Sequence, residues 1–463
     1  MLGLTVSNCV LSASFSAQCM ESLPPEVLQI ILCCLGGQDF VKFRTVSKWT
    51  LAVSSDLEER AKPTIWQKFV FSDFLQPCVE SVAPWVYSSD VNDVLLWKEL
   101  YIRLHRTWQL TRVGRKAKII NKEHFSEGGV KLVSDVKFIY GFLFLISTDQ
   151  CVNLMGIGDQ LRLRAHCKDT EWISQLSLED DLLLAPVTLV QRGNDNYSVV
   201  LKCLASSTFK EEEIDDVDLE VCEPPDNFAK SVGLSVWTDT CIVYQKQFLF
   251  DEEKFKIYNY KDINMTLNRI IILSSPVTEV QDLSYNQDRI ALITAQQKIC
   301  LFFNLSTHSV PVFEFPLPQP ATKIQMLGDF ILCLMGDGVL ETCQVITDKD
   351  NKISLSKWTQ MDLSGHAVLQ DQDVFIYVVD FVLQGHIFGF TTRYGLVFVS
   401  YMDTLTLSCL LRNLKCVHQV HLDSTGFISK MAVDQQHGPK FAIIERYFDE
   451  IQWVSKVHVF ELG

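Results

Sequence analysis

The chain has 463 residues, 48% of them hydrophobic, and a formal net charge of −15. This length allows two to three domains with a large core. The charge argues against nucleic acid or an anionic membrane as main partner, because both select basic surfaces. Fifteen cysteines are scattered without a C-x-x-C pair, and Cys33-Cys34 fall in an apolar run. That usage fits buried, reduced thiols in a cytoplasmic or nuclear protein.

Residues 1–20 are apolar and serine-rich, and the first basic residue is Lys42. They read as a disordered lead rather than a secretory signal, with Met20 as an alternative start. No run of about 20 apolar residues is present to span a membrane. From Glu21 to Thr50 the chain reads ESLPPEVLQIILCCLGGQDFVKFRTVSKWT. Ser22 is placed to cap a helix whose first turn tolerates Pro24-Pro25. Val27, Leu28, Ile30, Ile31, Leu32 and Leu35 recur at helical spacing. Gly36-Gly37 should end that helix in the left-handed conformation. A second short helix is predicted near Asp39 and a third from Val46. Helices this short cannot bury so much apolar surface against one another, so part of it must meet something else.

Leu23-Pro24-x-Glu26-x-Leu28-x-x-Ile31-Leu32-x-x-Leu35, then Asp39-Phe40, then Val46-Ser47-Lys48-Trp49, resembles an F-box over residues 21–60. The resemblance implies docking to the Skp-family adaptor, and through it to the cullin scaffold, of a ubiquitin ligase. It implies contacts from Leu23, Pro24, Glu26, Leu28, Ile31, Leu32, Leu35, Val46 and Trp49. The family usually places one residue between the Val-Ser-Lys triplet and the tryptophan, whereas here Trp49 follows Lys48 directly. One residue is about 100° of helix rotation, so the third helix must be repacked.

Residues 61–118 read as a helical linker. Ile65-Trp66-Gln67-Lys68-Phe69 and Leu95-Leu96-Trp97-Lys98-Glu99-Leu100 are its helical runs, and Pro77 and Pro84 break it. Arg103, Arg106, Arg112, Arg115, Lys116 and Lys118 make a basic run, read as a solvated face. From 119 to 463 short apolar runs alternate with polar turns, as in hairpins. Anchors at Phe142, Leu183, Ile242, Ile290, Phe330, Ile387 and Phe427 are separated by 41, 59, 48, 40, 57 and 40 residues. WD-type blades recur at about 40–45 residues. The fold class expected is therefore a small all-α F-box and helical linker followed by an all-β domain, a β-propeller of about seven blades. Six or eight blades would also fit, and two packed sandwiches are the competing architecture. Val457 to Phe460 should complete a blade begun near Lys118 to Asn121. Glu211 to Asp226 carries nine carboxylates in sixteen residues and reads as a solvated insertion.

Catalytic motifs are missing. There is no GxxxxGK[ST] loop and no GxSxG elbow, and Gly156-Ile157-Gly158-Asp159 lacks the final glycine of a dinucleotide loop. Cys416, His418 and His421 have no fourth ligand nearby, so no metal and no cofactor is expected. The reading is a non-catalytic substrate receptor of a Skp-cullin-F-box ligase with an unknown protein substrate. The alternative is a propeller scaffold or regulator outside any ligase. Arg192, in Gln191-Arg192-Gly193-Asn194, and Arg393-Tyr394, in Thr392-Arg393-Tyr394-Gly395, are the candidate substrate contacts, because arginine and tyrosine concentrate interface energy.

Overall fold

The computed structural model describes residues 23–60, 64–83 and 94–113, the strands between 117 and 294 at the bounds given below, and residues 296–303, 312–349, 352–362, 377–422, 425–434, 439–448 and 453–462. It forms two compact units, Met1–Leu75 with Ser88–Leu104, and Gln76–Tyr87 with His105–Gly463. Its helices are α1 (Pro25–Cys34), α2 (Gly37–Arg44), α3 (Lys48–Arg60), α4 (Ile65–Asp73), α5 (Gln76–Val82), α6 (Val94–Val113) and α7 (Leu407–Arg412). Among the described residues none is long and apolar enough to cross a membrane.

In the first unit, Pro24 holds the N-cap position of α1 without a side-chain cap, and Pro25 leads the first turn. The fixed proline φ starts this helix, and Ser22 lies outside the described residues. No left-handed glycine ends it. Leu35 leaves in extended backbone, and Gly36, at φ −74° and ψ 161°, is already the N-cap of α2. Gly37 is required for another reason: a Cβ there would lie 2.2 Å from Tyr101 Cζ. Its N–H donates to Asp73 Oδ2 at 3.0 Å, the oxygen that also takes the Tyr101 hydroxyl at 2.8 Å. The third helix starts at Lys48 rather than Val46. Ser47 caps it reciprocally with Thr50, through Thr50 N–H to Ser47 Oγ at 3.1 Å and Ser47 N–H to Thr50 Oγ1 at 2.9 Å.

The runs at 65–73 and 94–104 do more than link. Trp66, Phe69, Trp97 and Tyr101 are buried along with Leu28, Leu32 and Phe40. The Phe40 and Trp66 rings meet edge-on at 5.7 Å. Three short helices could not cover Phe40 by themselves, and the large aromatics of α4 and α6 supply the missing area.

The second unit is β-rich, its described strands grouped into seven antiparallel sheets. After β1 (Ala117–Phe125), the first sheet holds β2 (Val133–Ile139), β3 (Phe142–Ser147), β4 (Val152–Ile157), β5 (Leu161–Lys168) and β6 (Glu171–Ser174). The second holds β7 (Leu184–Arg192), β8 (Tyr197–Ala205) and β9 (Leu219–Val221). The third holds β10 (Val232–Trp237), β11 (Thr240–Gln247), β12 (Glu252–Asn259) and β13 (Thr266–Ile272). The fourth holds β14 (Val280–Asn286), β15 (Arg289–Thr294), β16 (Lys298–Phe302) and β17 (Val312–Pro316). The fifth holds β18 (Ala321–Leu327), β19 (Phe330–Met335), β20 (Leu340–Thr347), β21 (Ile353–Leu355) and the short β22 (Thr359–Gln360). The sixth holds β23 (Val378–Gln384), β24 (Ile387–Thr392), β25 (Leu396–Tyr401) and β26 (Lys415–Gln419). The seventh orders β27 (Phe427–Asp434), β28 (Lys440–Phe448) and β29 (Trp453–Leu462), with β1 as its outer strand. Lys118 faces Glu461 and Ile119 faces Phe460, the pairing expected from sequence. Of the acidic stretch 211–226, all but β9 lies outside the described residues.

First strands pack side by side: β10 on β14, β14 on β18, β18 on β23, β23 on β27, and β27 on β2. Two contacts at a seam fix direction. Asp282 Oδ2 accepts from Ile324 N–H at 2.8 Å and Ser284 Oγ from Met326 N–H at 3.0 Å. Lys323 Nζ donates to Asp380 Oδ1 at 2.6 Å, and Gln325 Oε1 accepts from Leu383 N–H at 2.6 Å. Later residues meet later residues, so β14, β18 and β23 run the same way, and Asp380 Oδ2 continues the pattern by accepting from Met431 N–H at 2.8 Å. In antiparallel sheets this direction places the turns between second and third strands at one end and those between first and second strands at the other. α5 belongs to the latter end. Gly385 N–H donates to Ser81 Oγ at 2.9 Å, and a Cβ on Gly328 would lie 3.0 Å from Pro77.

Candidate docking surface

Large apolar side chains exposed at the surface concentrate in the first unit. Of the fourteen among the described residues, ten lie there: Val27, Ile30, Ile31, Val41, Val46, Leu51, Phe71, Leu95, Leu96 and Ile102. Scattered single exposures are ordinary, but a concentration of this kind marks an interaction surface. Three of the ten, Val27, Ile30 and Ile31, come from α1, whose apolar residues extend beyond one face. Leu28 and Leu32, at 1% and 0% exposure, form its inward stripe, while Ile30 is 65% exposed on the other side.

The candidate adaptor contacts therefore separate. Leu28 and Leu32 are core residues, buried on one side of α1. Ile31 and Val46 are exposed, at 40% and 66%. Pro24 is exposed, Leu23, Leu35 and Trp49 are half-buried, and the Glu26 side chain lies outside the described residues. Sequence reasoning missed the outward roles of Val27, Ile30, Val41, Leu51 and Ile102. The signal for α1 was present, since apolar residues that extend beyond one helix face need cover beyond one face.

A depression of about 660 Å³ opens among Val41, Leu51 and Ile102, lined also by Trp66 and by Arg44, Lys48 and Lys98. Behind it, Glu58 binds Arg44, accepts from Lys98 Nζ at 2.9 Å and accepts from Trp66 Nε1 at 2.8 Å. Burial pushes the Glu58 pKa up, but the bonds from Lys98, Trp66 and Arg44 outweigh it and hold the carboxyl below its ordinary range. One carboxylate against three cations leaves this depression basic, within a chain of net charge −15. An apolar and acidic partner surface complements it.

In the second unit, Arg393 and Tyr394 are exposed in the turn between the second and third strands of the sixth sheet. Gly395 closes that turn at φ +81°, and a Cβ there would lie 2.7 Å from Val420 O. Arg192 is not equivalent. It ends β7, so among the described strands of its sheet its turn joins the first, β7, to the second, β8, and its side chain lies outside the described residues. Cys416 and His418 stand on β26, where His418 packs on the Phe460 ring at 4.7 Å.

No protein-family model and no curated protein matches this chain. Among solved structures it is similar to the computationally designed Ika8 protein, at 10% identity and a TM-score of 0.38, over 74% of this chain and 99% of that one. At that score the likeness carries no argument about fold or function.

Proposed function

We propose that the chain is the substrate-recognition subunit of a Skp-cullin-F-box ubiquitin ligase, acting in the cytoplasm, the nucleus or both. The first unit is an F-box that docks the Skp-family adaptor. The second is a seven-bladed β-propeller that holds a target protein. The observation that carries this reading is the concentration of exposed apolar side chains in the first unit, ten of the fourteen among the described residues, beside a basic, apolar-walled depression. The ordered F-box residues Leu23 to Trp49 identify the partner by resemblance. Support for the propeller comes from six of the described sheets, whose first strands β10, β14, β18, β23, β27 and β2 pack in succession, and from β1 completing the last sheet, an arrangement that shields strand edges.

The chain forms no bond in this mechanism. It contributes proximity: a bound target presents its lysines to the ubiquitin-charged enzyme at high effective concentration. Because α5 occupies the end of first-to-second-strand turns, the opposite end, with Arg393 and Tyr394, is where a target docks. The test is affinity purification of tagged full chain from cells with the proteasome blocked. Adaptor and cullin should accompany the wild type and be lost from an Ile30→Asp, Val46→Asp double variant. Recovery of both with the variant, or of neither with the wild type, would overturn the reading.

A further inference from the structure

The outward side of α1 is one continuous stripe. Val27, Ile30, Ile31 and Cys34 stand at the i, i+3, i+4 and i+7 spacing of a single helix face. All four are exposed. Pro24, one turn earlier, is exposed as well and carries the stripe to the start of the helix. Leu28 and Leu32, on the neighbouring side, are taken up by the core. Contiguous apolar surface of this kind calls for a covering partner.

The chain that enters α1 has the matching chemistry. Residues 1–20 lie outside the described residues. They contain no Asp, Glu, Lys or Arg, and they hold Leu2, Leu4, Val6, Val10, Leu11 and Phe15. Segments that stay solvated combine low hydrophobicity with high net charge, and this one has neither. It joins the helix at the Pro24 end of the stripe. From Val27 to Cys34 the helix advances about 10 Å at 1.5 Å per residue, a distance that about four residues of extended chain cover. Twenty residues therefore suffice to turn back and run beside the stripe.

We propose that residues 1–20 dock on the Val27-Ile30-Ile31-Cys34 stripe of their own chain and compete there with the adaptor. The proposal rests on the adaptor reading of the first unit and deepens it by naming what regulates that surface. Tethering gives the segment an effective concentration of about 1 mM. A contact with a Kd of only about 0.1 mM then keeps the stripe covered and weakens a competing partner by about tenfold. A chain begun at Met20 lacks the cover and docks the adaptor without that competition.

The experiment compares full chain, a chain begun at Met20, and a full-length Val10→Asp, Phe15→Asp variant that keeps the segment's length but not its apolar contacts. N-ethylmaleimide labelling is read by mass spectrometry on the peptide that holds Cys33 and Cys34. It should run about fivefold or more slower in the full chain than in the other two. In titration calorimetry, purified adaptor should bind both altered chains about threefold or more tighter than the full chain. Equal labelling in all three chains would overturn the proposal. So would protection of the full chain that vanishes on dilution, which would assign the stripe to a second copy. Equal labelling with equal adaptor binding removes the cover and leaves the receptor reading standing. Protection in the full chain with no adaptor binding by any of the three retains the cover and overturns the receptor reading together with the competition.

Discussion

Replacing Glu58 by glutamine keeps the shape of the first unit's polar centre and removes its charge. The glutamine carbonyl can still accept from Trp66 Nε1, now at 2.8 Å. Arg44 and Lys98 are left without their counter-ion. Removing one partner of a fully buried pair costs about 3–5 kcal/mol. Here the Glu58 side chain is 10% exposed, Arg44 18% and Lys98 32%, so water recovers part of the loss. The expected cost is about 2–3 kcal/mol at neutral pH, or on the order of 10–20 °C for a unit of this size. The pH dependence has a definite sign. An acid whose pKa is depressed by folding stabilises above its unfolded value, about 4.3 for glutamate, and loses that contribution as pH falls through the folded value. Calorimetry of full-chain wild type and Glu58→Gln at neutral pH and at about pH 3.5 should show a gap that narrows on acidification. A gap below about 0.5 kcal/mol at neutral pH, the scale of an ordinary surface change, or one that widens in acid, would refute the reasoning.

Gly37→Ala drives a methyl group into the Tyr101 ring and should cost about 1–3 kcal/mol; in a urea double-mutant cycle, Tyr101→Ala should absorb part of that cost, whereas strict additivity would contradict it. Asp282→Ala leaves the Ile324 N–H without its acceptor, for about 1–3 kcal/mol. Asp282→Asn should be harmless at neutral pH, because burial has raised the Asp282 pKa and disfavours its charge. Wild type should therefore gain stability on Asp282→Asn as pH falls through that raised pKa, and a reversed trend in pH-dependent melts would count against the seam. Deleting residues 453–463 removes β29 and strands β1, so the product should aggregate; a soluble, cooperatively melting truncation would show that the seventh sheet does not need it.

The sequence carried some of this and hid the rest for definite reasons. Hairpins such as Phe330–Met335 with Val339–Val345 were legible because at least one of their strands is apolar throughout, Phe330–Met335 being buried at every position. Their first strands were not. Val280–Asn286 and Ala321–Leu327 spend Asp282, Ser284, Lys323 and Gln325 on bonds across the seams, which breaks the apolar pattern. The spacing argument suffered too, since Phe427 opens a first strand whereas Phe330 and Ile387 open second strands. At the candidate docking surface, the apolar excess of α1 could be read directly. Which side faces out could not, because Leu28 and Ile30 are equally apolar in sequence and only the folded unit buries one and exposes the other.

The central claim is that the first unit binds a Skp-family adaptor through its outward face. Titration calorimetry of purified full chain against purified adaptor tests it directly. The account predicts a one-to-one complex that Ile30→Asp and Val46→Asp each weaken by about thirtyfold or more, the loss expected for one buried anchor of about 2 kcal/mol. Both variants should keep the wild-type melting profile. Absence of binding by the wild type, or affinity unchanged in both folded variants, would contradict it.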